Sequence, residues 1–359
     1  MFQKTIELMD SFLEMGVPGY DLIVFQDGNE IFRHFNGYSD LESKTPINGK
    51  ERYNIYSCSK PITCTAAMQL WEKGMFSLED PLTKFIPEFA DMTVRTPDGI
   101  RKARNPILIK HLFEMTAGFS YDLATPGILK TREETAGRCP TVQTVRNLAA
   151  DPLCFEPGEK WNYSLCHDVL AAVVEVISGV PFGEYVKKHI FDPLGMSCST
   201  FSLPEAELET VASHYRFNEE TRQAVNCGKQ IQNYKLGSCY ESGGAGCIST
   251  VEDYIRFAEA LRLGDVILGK DTIALMATDR LTDAQKVSYW LADHGYGLGV
   301  RCPLKNGTLP DFGWGGAAGA YLAVDIPNRL TMYYAQHMLS SPNQSVRAQV
   351  YTSILQELK

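Results

Sequence analysis

The sequence predicts a mixed α/β (α+β) protein: an antiparallel sheet built from both chain ends, flanked by helices, with a large helical insertion. Three observations carry that expectation. Strand-like apolar runs stand near the start, at 20–26 and 30–35, and again near the end, at 295–302, 320–325 and 330–336. The stretch between, 78–240, is punctuated by Pro and Gly and shows helical periodicity in short segments such as 106–115 and 168–177. No repeat, low-complexity tract or linker divides the chain, so strands at both ends are expected to meet in one sheet.

In chain order, an amphipathic helix is expected over 5–15. A hairpin follows, turning at Asp27-Gly28-Asn29 between its two strands. Pro61 tolerates only the first helical turn, so a helix should start near Ser57, and its uncharged continuation to Trp71 reads as buried on nearly every side. Gly243-Gly-Ala-Gly246 leads to Ser249, which with Glu252 forms a capping-box pattern for a helix to Leu261. A helix over 344–358 closes the chain. The expected division is a sheet domain, 1–77 with 241–359, and a mostly helical inserted domain, 78–240.

The 359 residues suffice for two or three average domains. Charged residues make up 21% and hydrophobic ones 44%, ordinary for a soluble globular protein. A net charge of −9, with no basic block, argues against nucleic acid and anionic membrane as partners. The N-terminus carries no apolar core or cleavage site of an export signal, and no run approaches a membrane span. The ten cysteines include no C-x-x-C pair and no Cys/His cluster with zinc spacing. Reduced thiols, a cytoplasmic location, and no metal or cofactor are therefore expected.

Chemistry concentrates first at Tyr56-Ser57-Cys58-Ser59-Lys60. Residues three apart on a helix share a face, so Lys60 would bring an amine beside the Ser57 hydroxyl, as activation of a weak nucleophile requires. Such a lysine would be desolvated and close to the positive end of the helix dipole. The plainer alternative makes Ser57 an N-cap and Lys60 a snorkelling surface residue. Two further segments stand out. Tyr163 lies just before an apolar helix, where it can point into a cleft, and Trp314-Gly315-Gly316 precedes a strand, where glycines allow close approach to backbone. Taken alone, Tyr163 reads as a packed aromatic and Trp314 as a core residue. No G-x-S-x-G elbow is present.

In their order these motifs resemble the serine hydrolases of the class C β-lactamase and penicillin-binding-protein fold. Ser57-Cys-Ser-Lys60 stands as the first motif, Tyr163-Ser-Leu165 at the Tyr-x-Asn position, and Trp314-Gly-Gly316 at the Lys-Thr-Gly position. Segments 110–118, 192–196, 243–253 and 296–299 add weaker matches, so the resemblance spans nearly the whole chain. It implies a β-lactamase/transpeptidase-like fold, with Ser57 as nucleophile, Lys60 and Tyr163 as base and proton relay, and an oxyanion hole from the Ser57 and Ala317 amides. Which of Lys60 and Tyr163 is the base stays open.

The departures narrow the chemistry. Leu165 cannot hydrogen-bond a substrate amide, and Trp314 brings no cation for a carboxylate. A site lacking those polar contacts loses its discrimination for β-lactams. Trp-Gly-Gly is similar instead to the β-lactamase-like carboxylesterases. The expected activity is hydrolysis of small or medium esters through an acyl-enzyme, with Trp314, Gly315, Gly316 and Leu165 lining the substrate pocket. Alternatives are an amide or peptide hydrolase with β-lactamase or D-amino-acid peptidase activity, an acyltransferase using the same acyl-enzyme, and a non-catalytic binding protein. His167 and Asp168 are expected to be structural, His167 by orienting the Tyr163 loop. Oligomeric state is not legible.

Overall fold

Both chain ends meet in the central sheet because their strands carry apolar side chains on both faces. The computed structural model describes residues 2–229 and 235–359. Helix α1 (Gln3–Glu14) leads to strands β1 (Gly19–Gln26), β2 (Asn29–Asp40) and β3 (Thr45–Pro46). Helices α2 (Ser59–Glu72), α3 (Cys166–Ser178) and α4 (Val251–Leu263) follow, then strands β4 (Tyr321–Asp325) and β5 (Leu330–Gln336) and helix α5 (Gln349–Glu357). The sheet runs β4-β5-β1-β2-β3, with antiparallel register Ile23↔Tyr333 and Ile23↔Arg33. Asp27 and Gly28 both take positive φ in the β1–β2 turn, as the tightest hairpins need.

Alternation along the strands sorts the two faces. Leu22, Val24, Met332 and Tyr334 face α1 and α5, where they meet Met9, Phe12, Val350 and Ile354. Ile23, Leu322, Val324 and Tyr333 face α4 and belong to the larger core. That core continues through α2 and α3, which pack against one another and are apolar nearly all round. Among the described residues, no single helix is long and apolar enough to cross a membrane. All ten cysteines are free thiols.

Three expectations need correcting. The cap of α4 is Thr250, whose side chain accepts from the Asp253 amide; the Ser249 hydroxyl is spent on Ser199 and the Thr250 carbonyl. Tertiary hydrogen bonding thus took the first candidate cap, and its neighbour served. The strand expected over 295–302 is two short pieces, Gly295–Tyr296 and Arg301–Cys302, paired around a tight turn closed by Gly297 N–H to Val300 O. The region 78–240 also holds two small hairpins, Thr93–Thr96 with Gly99–Lys102 and His214–Asn218 with Gln223–Gly228. The second joins Met338–Leu339 from the far end of the chain in a small sheet.

Candidate active site

Ser57 lies in a 3-10 turn, Tyr56–Cys58, two residues ahead of the start of α2 rather than in it. Tyr56 takes φ 47°, the left-handed region that a bulky residue enters only when its surroundings over-determine it. The restraints are visible. The Ser59 hydroxyl donates to Tyr56 O at 2.6 Å and accepts from the Cys247 amide at 3.0 Å. Tyr254 OH donates to Cys58 O at 2.6 Å, and Tyr56 OH meets His214 Nε2 at 3.1 Å. Ser57 is therefore held in place by its neighbours, 8% exposed.

Lys60 is fully buried. Its Nζ donates to Ser57 Oγ at 3.1 Å and to Gly244 O at 2.7 Å, and lies 4.5 Å from the Tyr163 ring centroid and 5.5 Å from that of Tyr121. No carboxylate forms an ion pair with it among the described residues. Gly244 can be offered this closely because it lacks a side chain: a Cβ there would stand 2.5 Å from Asp168 Oδ2.

Tyr163 OH donates to Ser57 Oγ at 2.5 Å, so Ser57, Lys60 and Tyr163 share one oxygen. Trp314 does more than line a wall. Its indole Nε1–H donates to Tyr163 OH at 3.3 Å, with the two rings stacked at 6.0 Å. Residues Trp314 to Ala320 form a hairpin closed by Gly316 N–H to Ala320 O at 2.7 Å and Gly319 N–H to Gly316 O. A Cβ on Gly316 would sit 2.3 Å from Ile55 O, so only glycine lets this hairpin reach the backbone ahead of Ser57. Gly315 has open space by comparison. Ala317 is exposed at the tip of the turn.

Leu165 is buried, and its amide donates to Ser120 O at 3.1 Å. It borders a cavity of about 300 Å³ lined also by Phe119, Ser120, Asp122 and Arg95. Neither Ser57 nor Tyr163 lines that cavity. The hydrogen-bond partners of His167 lie outside the Tyr163 loop: its Nε2 meets Phe113 O at 3.3 Å and Cys64 Sγ at 3.6 Å. Burial pushes the His167 imidazole down to about 3, keeping it neutral. Burial also pushes the Cys58 thiol beside the nucleophile up to about 12, which leaves it unreactive.

Two side chains, Tyr121 and Trp290, escaped the sequence reading. Tyr121 stacks on Tyr163 at 5.4 Å, and Trp290 approaches the same ring at 5.1 Å while 57% exposed. Asp168 reaches back under the Gly244 turn. For Tyr121 and Trp290 the sequence holds no signal beyond aromaticity, since both come from loops distant along the chain.

A family model described as Beta-lactamase matches residues 5–354. Protein Rv1367c of Mycobacterium tuberculosis is 30% identical over 341 residues, covering 87% of this chain and 83% of its own. Esterase EstB of Burkholderia gladioli is 29% identical over 339 residues, covering 87% and 84%. Among solved structures, EstCE1, described as a hydrolase with promiscuous acyltransferase activity, superposes with a TM-score of 0.81 at 23% identity, covering 98% of this chain and 97% of that one.

Proposed function

The chain belongs to the Beta-lactamase family, and on that premise we propose that it is a serine hydrolase acting on carboxylic esters through an acyl-enzyme on Ser57. One observation carries the reading: Ser57 Oγ is contacted by Lys60 Nζ at 3.1 Å and by Tyr163 OH at 2.5 Å. A nucleophile, a base and a relay within hydrogen-bond reach are what acyl transfer needs.

Ser57 Oγ attacks the ester carbonyl while its proton passes into the Lys60–Tyr163 pair. The carbonyl oxygen takes the electron pair and rests against the amides of Ser57 and Ala317. Loss of one such donor typically costs about 2.7–4 kcal/mol. The tetrahedral centre collapses, the C–O bond to the alcohol breaks, and Tyr163 returns the proton to the leaving oxygen. Water then repeats the sequence to release the acid. The Trp314 indole N–H contributes by holding the Tyr163 hydroxyl in line.

The ester preference over β-lactams rests on Trp314 and on Leu165, neither of which offers the polar contacts that an amide and a carboxylate would use. EstB carries the name esterase, which supports the same class. The test compares a short p-nitrophenyl ester with a chromogenic cephalosporin, for wild type and Ser57→Ala. Ester turnover lost in Ser57→Ala, with little cephalosporin turnover, is the expected result. Dominant cephalosporin turnover would overturn it.

Acyl transfer to an alcohol is the second reading, favoured by the exposed Trp290 ring beside Tyr163. Added alcohol that diverts product from acid to ester, at unchanged p-nitrophenol release, would establish it.

A further inference from the structure

Asp168 is a fully buried carboxylate that the hydrolytic steps above do not use. It sits in the first turn of α3, five residues after Tyr163. Its Oδ1 accepts from Ser242 Oγ at 2.6 Å and from Tyr240 OH at 2.9 Å. The same Ser242 hydroxyl accepts from the Ala245 amide at 3.0 Å, and Ser242 O accepts from Gly246 N at 2.8 Å. Oδ2 has no side-chain partner and lies against the Gly244 backbone. The carboxylate thus holds the 242–246 turn through Ser242 and the chain just ahead of it through Tyr240, and this turn is the one whose Gly244 carbonyl receives Lys60 Nζ at 2.7 Å.

We propose that Asp168 is the positioning residue for Lys60: it fastens the 242–246 turn that orients the amine towards Ser57, and it supplies the buried negative charge facing that amine. The inference rests on the reading that Lys60 serves Ser57. A buried cation held only by a carbonyl, a hydroxyl and two ring faces is poorly compensated, and a carboxylate behind the same turn corrects that without quenching the amine in a direct ion pair. Burial pushes the Asp168 carboxyl up; the Ser242 hydrogen bond, the Lys60 charge and the Tyr240 hydrogen bond oppose it. The titratable groups around it are Lys60 from α2, Tyr240 and Tyr121 from the loops over it, and Cys166 and His167 on its own helix.

The experiment follows covalent labelling of Ser57 by a fluorophosphonate across pH in wild type, Asp168→Asn and Ser242→Ala/Tyr240→Phe. Asp168→Asn keeps the shape and removes the charge. Its plateau labelling rate should fall roughly 10- to 100-fold, as misplacement of a reacting group costs. The acid limb of its profile should also move to lower pH, because losing a nearby negative charge favours the less protonated form of the coupled Lys60–Tyr163 pair. The double variant keeps the charge but frees the turn, so its plateau should fall while its limb stays in place. A folded Asp168→Asn protein with wild-type plateau and limb would overturn the proposal. Should Asp168→Asn not fold, a wild-type plateau in the double variant would overturn it equally. Wild-type protein that takes no label at Ser57 would instead sink the hydrolase reading beneath it.

Discussion

On one side of the cleft, Ser57, Lys60 and the Gly243–Gly244 backbone are buried and tied by hydrogen bonds at nearly every polar atom; Thr63 Oγ1 donates to Gly243 O at 2.7 Å and Lys60 to Gly244 O at 2.7 Å. On the other side, Tyr163 reaches Ser57 through its hydroxyl, while its half-buried ring lies among Tyr121, Trp290 and Trp314 at 5.1–6.0 Å. The difference separates two demands. Moving a proton needs atoms placed to a few tenths of an ångström, which only a satisfied polar network in a dry interior supplies. Holding an apolar substrate needs area, which aromatic rings provide with tolerance for substitution.

The comparison breaks first at Ser57. Ser57→Ala should cut ester turnover on the order of 10³-fold or more with little loss of stability, read as kcat beside a thermal melt. A residual rate near wild type would move the chemistry elsewhere.

Acid sharpens it next, because the polar side depends on neutral buried imidazoles. Burial pushes His111 and His214 down to about 4, and His167 and His337 down to about 3. The unfolded chain binds protons near about pH 6.5, where the native one does not, so this stability is present above that pH. It is lost as pH falls towards 4, at up to about 1.4 kcal/mol per pH unit for each histidine. Melting temperatures from pH 7 to 4 should decline steadily; a flat profile would mean the imidazoles charge in place.

Gly316→Ala tests the hairpin that the aromatic side shares with Ser57. The added Cβ meets Ile55 O, and overpacking of this kind costs about 1–3 kcal/mol. Chemical denaturation should show that loss together with lower kcat, whereas Gly315→Ala, with room around it, should change neither strongly. The smallest effect belongs to Trp290→Ala on the exposed rim. A ring contact is worth about 0.5–1.5 kcal/mol, so KM for an aryl or long-chain ester should rise roughly 2- to 12-fold with kcat little changed. A collapse of kcat would place Trp290 on the polar side of the comparison.

Much of the frame was legible in the residues. Strand β5 shows without strict alternation, because residues 330–336 carry no charge, are rich in apolar and aromatic side chains, and read as a central strand buried on both faces. The helix after Ser57 announces itself by Pro61 and its uncharged run. Where tertiary partners compete for the same atoms, reading failed. Ser249 has the residue type of a cap, but Ser199 claims its hydroxyl.

The sequence by itself determined that both chain ends build one sheet and that a serine and a lysine lie one helical turn apart, since strand alternation and helical spacing are local properties of the chain. Only the tertiary structure decided that Tyr163 reaches the same oxygen, that Trp314 donates to Tyr163, and that Asp168 grips the turn holding Lys60. Those contacts join residues 74 to 151 positions apart. Their geometry follows from how helices, hairpin and glycine turns close on one another, which no local pattern encodes.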